Sequence, residues 1–328
     1  MTVTVKSFAK INLGLGIGPA RDDGFHELRT VYQTLGLYDV IRVSVARGTG
    51  IEIRCEDQRV PRDESNTCYR IVEKAMAILR GKGRVVIEIE KRLPVQGGLG
   101  GASANAVATL VALERALRRE LPAADRMRIA AEVGSDLPMF LVGGTILGVG
   151  RGEQVYPLPD FPPTPCVVLT PTIGVSTPKA FAEWDRLTES QTASEKLTAS
   201  ARSDRINELG RGLSAWLSEL YSSAPSSFTE RGGRAGNPLL RLDRAGIKND
   251  FEQVVFPEYP ELGEAKRALV RAGAKYASLS GSGSTLYGLF GSRKAADVAV
   301  ARLRKVGWAV QATATLSRSA YWRRMLVR

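Results

Sequence analysis

The chain has 328 residues, 44% of them hydrophobic, and a formal net charge of +12; it can bury a substantial core and, at the usual domain size, fits two domains better than one. A single histidine, His26, excludes histidine-cluster metal centres, and Cys55, Cys68 and Cys166, scattered and without a CxxC pair, argue against a disulfide framework or a zinc site. The opening "MTVTVKSFAKINLGLG" lacks the apolar core of a signal peptide and no segment reaches the roughly eighteen apolar residues of a membrane span, so a cytoplasmic protein is expected.

In chain order, Lys10 and Asn12 of "FAKIN" stand two apart, which puts them on one side of a strand. Asn66 in "ESNTCYRIVEKA" has the character of a helix-start residue. "VVIEIEKRL" alternates apolar and charged residues through Val86, Ile87, Glu88, Ile89 and Glu90, as a half-buried strand does. It runs into "LPVQGGLGGASANA", and Val107, Leu110, Leu113 and Leu117 then recur at helical spacing.

A strand, a glycine loop and a helix start make a ready anion site, because unpaired backbone N–H groups converge where the helix dipole favours negative charge. The other reading of these glycines is a tight turn with close helix packing. The loop lacks the Gly-Lys-Ser/Thr ending of a Walker A loop, the protein-kinase motifs are missing, and Ser103 stands where a Rossmann loop counted from Gly98 needs its last glycine.

The prolines of "YPLPDFPPTPC" resist helix and central strand, and the domain boundary is placed there, giving units 1–158 and 159–328. Beyond it, "CVVLTP" reads as a strand, 260–272 as a helix, "YASLSGSGSTLYGLF" as two strands around a glycine-serine turn, 293–306 as a helix and "WAVQATATL" as a last strand. Residues 188–236 are Ser-, Arg- and Gly-rich and read as a peripheral, partly mobile insertion, apart from an amphipathic piece at Ile206, Leu209, Leu213, Trp216 and Leu220. The mixture of helices, strands and hairpins predicts an α+β protein.

Three stretches together resemble the GHMP kinases: "SFAKINLGLGI" with "DDGFHELRTV", then "LPVQGGLGGASANA", then "SLSGSGSTLYGLF". With "GSDLPMFL" and "IKNDFE" in the same order, the finer pattern is similar to the branch that phosphorylates a cytidyl-linked sugar alcohol for non-mevalonate isoprenoid synthesis. The resemblance spans nearly the whole chain except 188–236. It implies a two-domain fold, the N-terminal half like ribosomal protein S5 domain 2 and the C-terminal half ferredoxin-like, with ATP and Mg²⁺ as cofactors.

The resemblance also assigns roles. ATP would lie against Asn66, Pro94, Gly97, Gly98, Leu99, Gly100, Gly101, Ala102, Ser103, Gly281 and Gly283, with the Ser103 hydroxyl capping the helix or approaching Mg²⁺. Asp136 matches the carboxylate that removes the proton of the attacking hydroxyl; Lys10 matches the lysine beside it, and a carboxylate, being a weak base for an alcohol, needs that help. Asn12, Thr177 and Phe181 match substrate contacts, and Phe25 and His26 match the pair that grips the cytosine, Phe25 by stacking. Phe25 stands where relatives carry tyrosine, and Gln96 and Ala102 replace small residues of the loop.

Taken without the resemblance, Asp136 reads as a turn or cap residue, Lys10 as a surface charge, and Phe25 and Phe181 as core. Two other readings stay open: a GHMP kinase for another small alcohol such as homoserine or mevalonate, and a non-catalytic binder of nucleic acid. The favoured reading has a small-molecule substrate, neither nucleic acid nor membrane as partner, and a monomer or weak homodimer.

Overall fold

The structure, a computed structural model, describes residues 1–95, 97–195, 199–222, 237–243 and 245–327, with side chains undescribed at 190–195, 199–205, 219–222 and 241. Its first sheet is built on a long antiparallel hairpin, β1 (Thr2–Ala20) against β2 (His26–Ala46). Beside β2 lie β4 (Arg84–Glu90), which pairs in parallel with β3 (Ile51–Cys55), and on the other side β5 (Thr145–Val149) and β6 (Gln154–Pro157). The second sheet is antiparallel, in the order β10 (Val310–Ala314), β7 (Pro165–Leu169), β9 (Leu286–Leu289), β8 (Tyr276–Leu279).

Helices cover the outer faces. α1 (Thr67–Leu79), α2 (Gly101–Leu117), α3 (Ala123–Val133) and α4 (Leu137–Val142) pack on the first sheet around Val5, Ile41, Ile87, Leu110 and Phe140. The C-terminal α10 (Arg318–Met325) returns to the same core through Tyr321 and Met325. On the second sheet, α7 (Glu252–Glu258), α8 (Pro260–Arg271) and α9 (Arg293–Lys305) bury Val255, Leu262, Leu269, Ala296 and Leu303 with Trp184 from α5 (Thr177–Glu195).

Strand β1 joins the two halves by ordinary two-residue alternation. Ala9, Ile11 and Leu13 face a third apolar cluster shared with Cys166, Val168 and Leu289 of the second sheet, while Lys10 and Asn12, only 4% and 2% exposed, face the other way. Register shifts fall between Phe8 and Lys10 and between Asn12 and Gly14, so irregular pairing brackets the two polar residues.

The insertion read as peripheral is in part core. α6 (Ala199–Ser222) lays Ile206, Leu209, Leu213 and Trp216, all buried, along β1. It can approach because Gly14 and Gly16 carry no side chains: a Cβ at either would come within 3.3 Å of the Leu209 side chain. The composition of 188–236 hid this, since four apolar residues at helical spacing outweigh the polar residues between them. Leu220's side chain, and residues 196–198 and 223–236 on which the expected mobility partly fell, lie outside the described residues.

Six buried acids give the fold a pH signature. Burial pushes the Cys68 thiol up to about 12 and the Cys166 thiol higher still, and it raises the Tyr276, Tyr287 and Tyr321 hydroxyls and, with Asp136 adding to it, that of Tyr32. The unfolded chain releases these protons near pH 8.5 for thiols and 10 for phenols, while the fold retains them. Stability is therefore complete below about pH 8.5 and falls as pH rises, by about 1.4 kcal/mol per pH unit for each group ionised only in the unfolded chain. Circular-dichroism melts should show a midpoint lower by roughly 10 °C at about pH 10.5 than at about pH 8; a flat midpoint would contradict this burial pattern.

Candidate active site

A cleft of about 740 Å³ opens between the sheets. Its walls include Lys10, Asn12, Asn66, Pro94, Gly97, Gly98, Leu99, Gly100, Gly101, Ala102, Ser103, Asp136, Thr177, Phe181, Gly281 and Gly283, sixteen of the eighteen residues singled out in the sequence. Phe25 and His26 are outside the lining. Four cations, Lys10, Arg59, Lys91 and Arg151, face the cleft against one carboxylate, Asp136, so the field inside favours polyanions.

The floor is made of two glycine loops in contact. The first leaves β4 and enters α2 with Gly98 and Gly100 at φ +79° and +68°, and α2 starts without a side-chain cap. The Ser103 hydroxyl is therefore not the cap; Gly100 holds that position, the backbone N–H groups of the first turn follow it, and Ser103 lines the cleft. The second loop joins β8 to β9. Ser280 Oγ donates to the Gly98 carbonyl at 2.9 Å, and Thr285 N to the Gly97 carbonyl at 3.3 Å.

Each loop is held from behind by a buried side chain. Asn249, 2% exposed, donates from Nδ2 to the carbonyls of Leu279 and Gly281 at 2.9 and 2.8 Å. Asp39, fully buried, accepts at Oδ1 from the backbone N–H groups of Arg92 and Leu93 at 2.7 and 2.8 Å. Its Oδ2 accepts from Asn105 Nδ2 at 3.0 Å and from Lys91 Nζ. One carboxylate thus fixes the exit of β4, the start of α2 and a cation of the cleft.

At the centre, Lys10 Nζ lies 3.3 Å from Asp136 Oδ2 and donates to Asn12 Oδ1 at 2.7 Å. Asn12 Nδ2 donates to Thr30 Oγ1 at 2.7 Å, and that hydroxyl to the Gly14 carbonyl at 2.8 Å. Tyr32, opposite Asn12 in the hairpin register, donates to Asp136 Oδ1 at 3.1 Å. Asp136 stands at the N-terminal end of α4, the place a capping residue takes, yet its side chain makes no capping bond and turns to Lys10 and Tyr32 instead. The Lys10 backbone N–H also binds the Leu99 carbonyl at 2.9 Å, which ties the lysine to the glycine loop.

Asn66 serves two structures at once. It caps α1, accepting from Cys68 N at 2.8 Å and donating to the Pro61 carbonyl at 2.6 Å, and it lines the cleft. Thr177 exchanges a hydrogen bond of 2.7 Å with Ser282, which links α5 to the second loop.

The aromatic group packs on itself beside the cleft. His26 and Phe181 are stacked on each other, with centroids 4.8 Å apart and planes 15° from parallel, so no base fits between them. Phe25 is 49% exposed, with the Arg151 guanidinium 4.9 Å over its ring. The sequence names the residues of this group but not their mutual packing, which depends on α5 crossing the β1–β2 turn. Gln96 lies outside the described residues.

Comparison with known proteins points to one family. The model of the GHMP kinases N terminal domain matches residues 66–144 and that of GHMP kinases C terminal residues 231–307. The chain is 39% identical over 293 residues to the 4-diphosphocytidyl-2-C-methyl-D-erythritol kinase of Solibacter usitatus, covering 89% of this chain and 82% of that protein.

The chain belongs to the 4-diphosphocytidyl-2-C-methyl-D-erythritol kinase family.

The member of this family from Geobacter sulfurreducens is 30% identical over 314 residues, covering 96% of this chain and 99% of that one. A crystal structure of a 4-(cytidine 5'-diphospho)-2C-methyl-D-erythritol kinase, 27% identical, superposes with a TM-score of 0.68 over 95% of this chain and 98% of its own. The L. major mevalonate kinase, 17% identical with a TM-score of 0.67 over 95% of this chain and 96% of its own, shares the fold. Around the cleft, Thr30, Tyr32, Asp39, Arg59, Lys91, Asn105, Arg151, Asp185 and Asn249 are among the residues that sequence reasoning did not single out.

Proposed function

We propose that the chain transfers the γ-phosphoryl group of ATP to the 2-hydroxyl of 4-diphosphocytidyl-2-C-methyl-D-erythritol. The carrying observation is the Lys10–Asp136 pair, 3.3 Å apart, at the place where the two glycine loops meet. Phosphoryl transfer asks a protein mainly to position two reactants and stabilise charge. The loop backbone and the N-terminus of α2, a 17-residue helix, supply the anion cradle. Across from it, Asp136 receives the proton of the incoming hydroxyl while Lys10 steadies the charge developing on that oxygen. The bond from γ-phosphorus to the bridging oxygen breaks, ADP leaves, and the alcohol oxygen keeps the phosphoryl group.

Mg²⁺ binds hard oxygen ligands and keeps several from phosphates and water. The Ser103 hydroxyl, in the first turn of α2 and in the cleft wall, is of that kind and fits a cation carried by the nucleotide. When bound, Mg²⁺ neutralises phosphate charge. The reading has the protein acting in the cytoplasm as a monomer or weak homodimer, on a small molecule, with neither nucleic acid nor membrane as partner; among the described residues no helix is long and apolar enough to cross a membrane.

A coupled ADP-release assay with the cytidyl compound, homoserine and mevalonate tests this. Turnover is expected with the first alone, and its absence there would defeat the substrate assignment.

A further inference from the structure

Tyr32 stands on β2 opposite Asn12 of β1 and Ile146 of β5. It is only 2% exposed and yet forms part of the cleft wall. Its hydroxyl donates to Asp136 Oδ1 at 3.1 Å, whereas the Gly152 carbonyl is 3.5 Å away, longer than a hydrogen bond of ordinary strength, so the proton points to the carboxylate. Burial, with Asp136 adding to it, holds the phenol well above its usual range, so at neutral pH it stays protonated and donates. Two glycines keep the space it needs. A Cβ at Gly148 would stand 2.5 Å from Cε2 of the ring, and one at Gly152 would stand 2.4 Å from the hydroxyl oxygen.

A carboxylate that is to take a proton must hold one orientation. The last torsion of an aspartate is soft, the Asp136 side chain is 32% exposed, and α4 gives it no capping bond. Lys10 Nζ, 3.3 Å away on the Oδ2 side, sits on a flexible four-carbon stem and is also the group that steadies charge on the incoming oxygen. The phenol is the stiffer anchor. Its ring is buried between the strands, and the same Nζ lies over it, 5.6 Å from the centroid.

We infer that Tyr32 is a positioning residue for the base: its bond to Oδ1 fixes the plane of the Asp136 carboxylate and leaves Oδ2, beside Lys10, to receive the proton of the incoming hydroxyl. This rests on the reading that Asp136 is that base. Tyr32 acts through the carboxylate and takes no proton itself.

Single-turnover rapid-quench rates for the phosphoryl-transfer step, measured around a double-mutant cycle, test it. Tyr32→Phe keeps the ring and its packing and loses only the donor. The step should slow about tenfold, the scale of one hydrogen bond to a charged group, while KM for ATP and for the cytidyl substrate stays within about twofold. In an Asp136→Asn chain the same change should cost nothing further, because no base is left to orient. Gly152→Ala, which drives a carbon against the hydroxyl and leaves Tyr32 in place, should repeat both results.

A Tyr32→Phe loss of the same size in the Asp136→Asn chain comes from a loosened structure, and that result overturns the inference. So does a Tyr32→Phe step within about twofold of the unaltered rate, or a loss carried wholly by the two KM values. Failure of the base reading looks different: Asp136→Asn alone then runs at the unaltered rate, and the role of Tyr32 falls with it.

Discussion

Replacing Asp136 by Asn lowers kcat by about 10²- to 10⁴-fold, the usual worth of a positioned general base, while ATP affinity stays within a few-fold. The asymmetry follows from the geometry. Asp136 is bonded to Lys10 and Tyr32, and the glycine loops are held from elsewhere, by Asp39 and Asn249. Asn is a better first variant than Ala because Lys10 is 95% buried by side-chain area and loses its counter-charge either way. An amide at 136 at least keeps an acceptor near Nζ. Rapid-quench kinetics for the chemical step and calorimetry for the nucleotide check the two halves of the expectation. A variant with kcat within threefold of the unaltered chain removes Asp136 from the mechanism.

The second large effect is at Gly98. Its φ of +79° is a conformation in which an L side chain costs about 1–2 kcal/mol, and a Cβ there would stand 2.2 Å from the Ser280 carbonyl oxygen, which is backbone and cannot swing aside. Gly98→Ala must therefore push the two loops apart. A displacement of about 1 Å in a positioning loop is enough to cost about 10²-fold in kcat/KM for ATP. Gly50→Ala supplies the control: its φ of +94° carries the same kind of strain, with nothing within 4 Å of the added carbon. Equal losses in the two variants would mean that strain, and not the collision with Ser280, is responsible.

Much of the site is legible in the sequence where its chemistry is local. The glycines of 97–101 lie between an alternating strand and a helical repeat, and that sequence of patterns needs no tertiary information. Lys10 and Asn12 share a face by spacing alone. Asp136 needed the family resemblance, because a lone aspartate before Leu137 and Pro138 has the look of a cap.

The residues that hold the site escaped because their partners are remote. Asp39 in "LYDVIRV" looks like a strand's solvent-side charge, and what makes it the hub of the loop is donors 52 to 66 positions away. Tyr32 is 104 residues from the carboxylate it binds, and Asp185 is 159 from His26. α6 escaped for the opposite reason: its apolar face is legible, but its host, the face of β1 that carries Gly14 and Gly16, has no apolar side chains to match.

The contact between Gly98, Ser280 and Gly283 also bears on how such a chain can diverge. A Cβ at Gly98 strikes the Ser280 carbonyl, and one at Gly283 would stand 2.7 Å from the Gly98 nitrogen, so each loop is the other's mould. Neither can be exchanged with a distant relative's version by itself. A hybrid carrying a foreign 280–284 hairpin on this N-terminal half inherits a mismatched seam unless residues 97–100 travel with it, and the inheritance of the two segments is joined by a few tenths of a nanometre rather than by their distance along the chain.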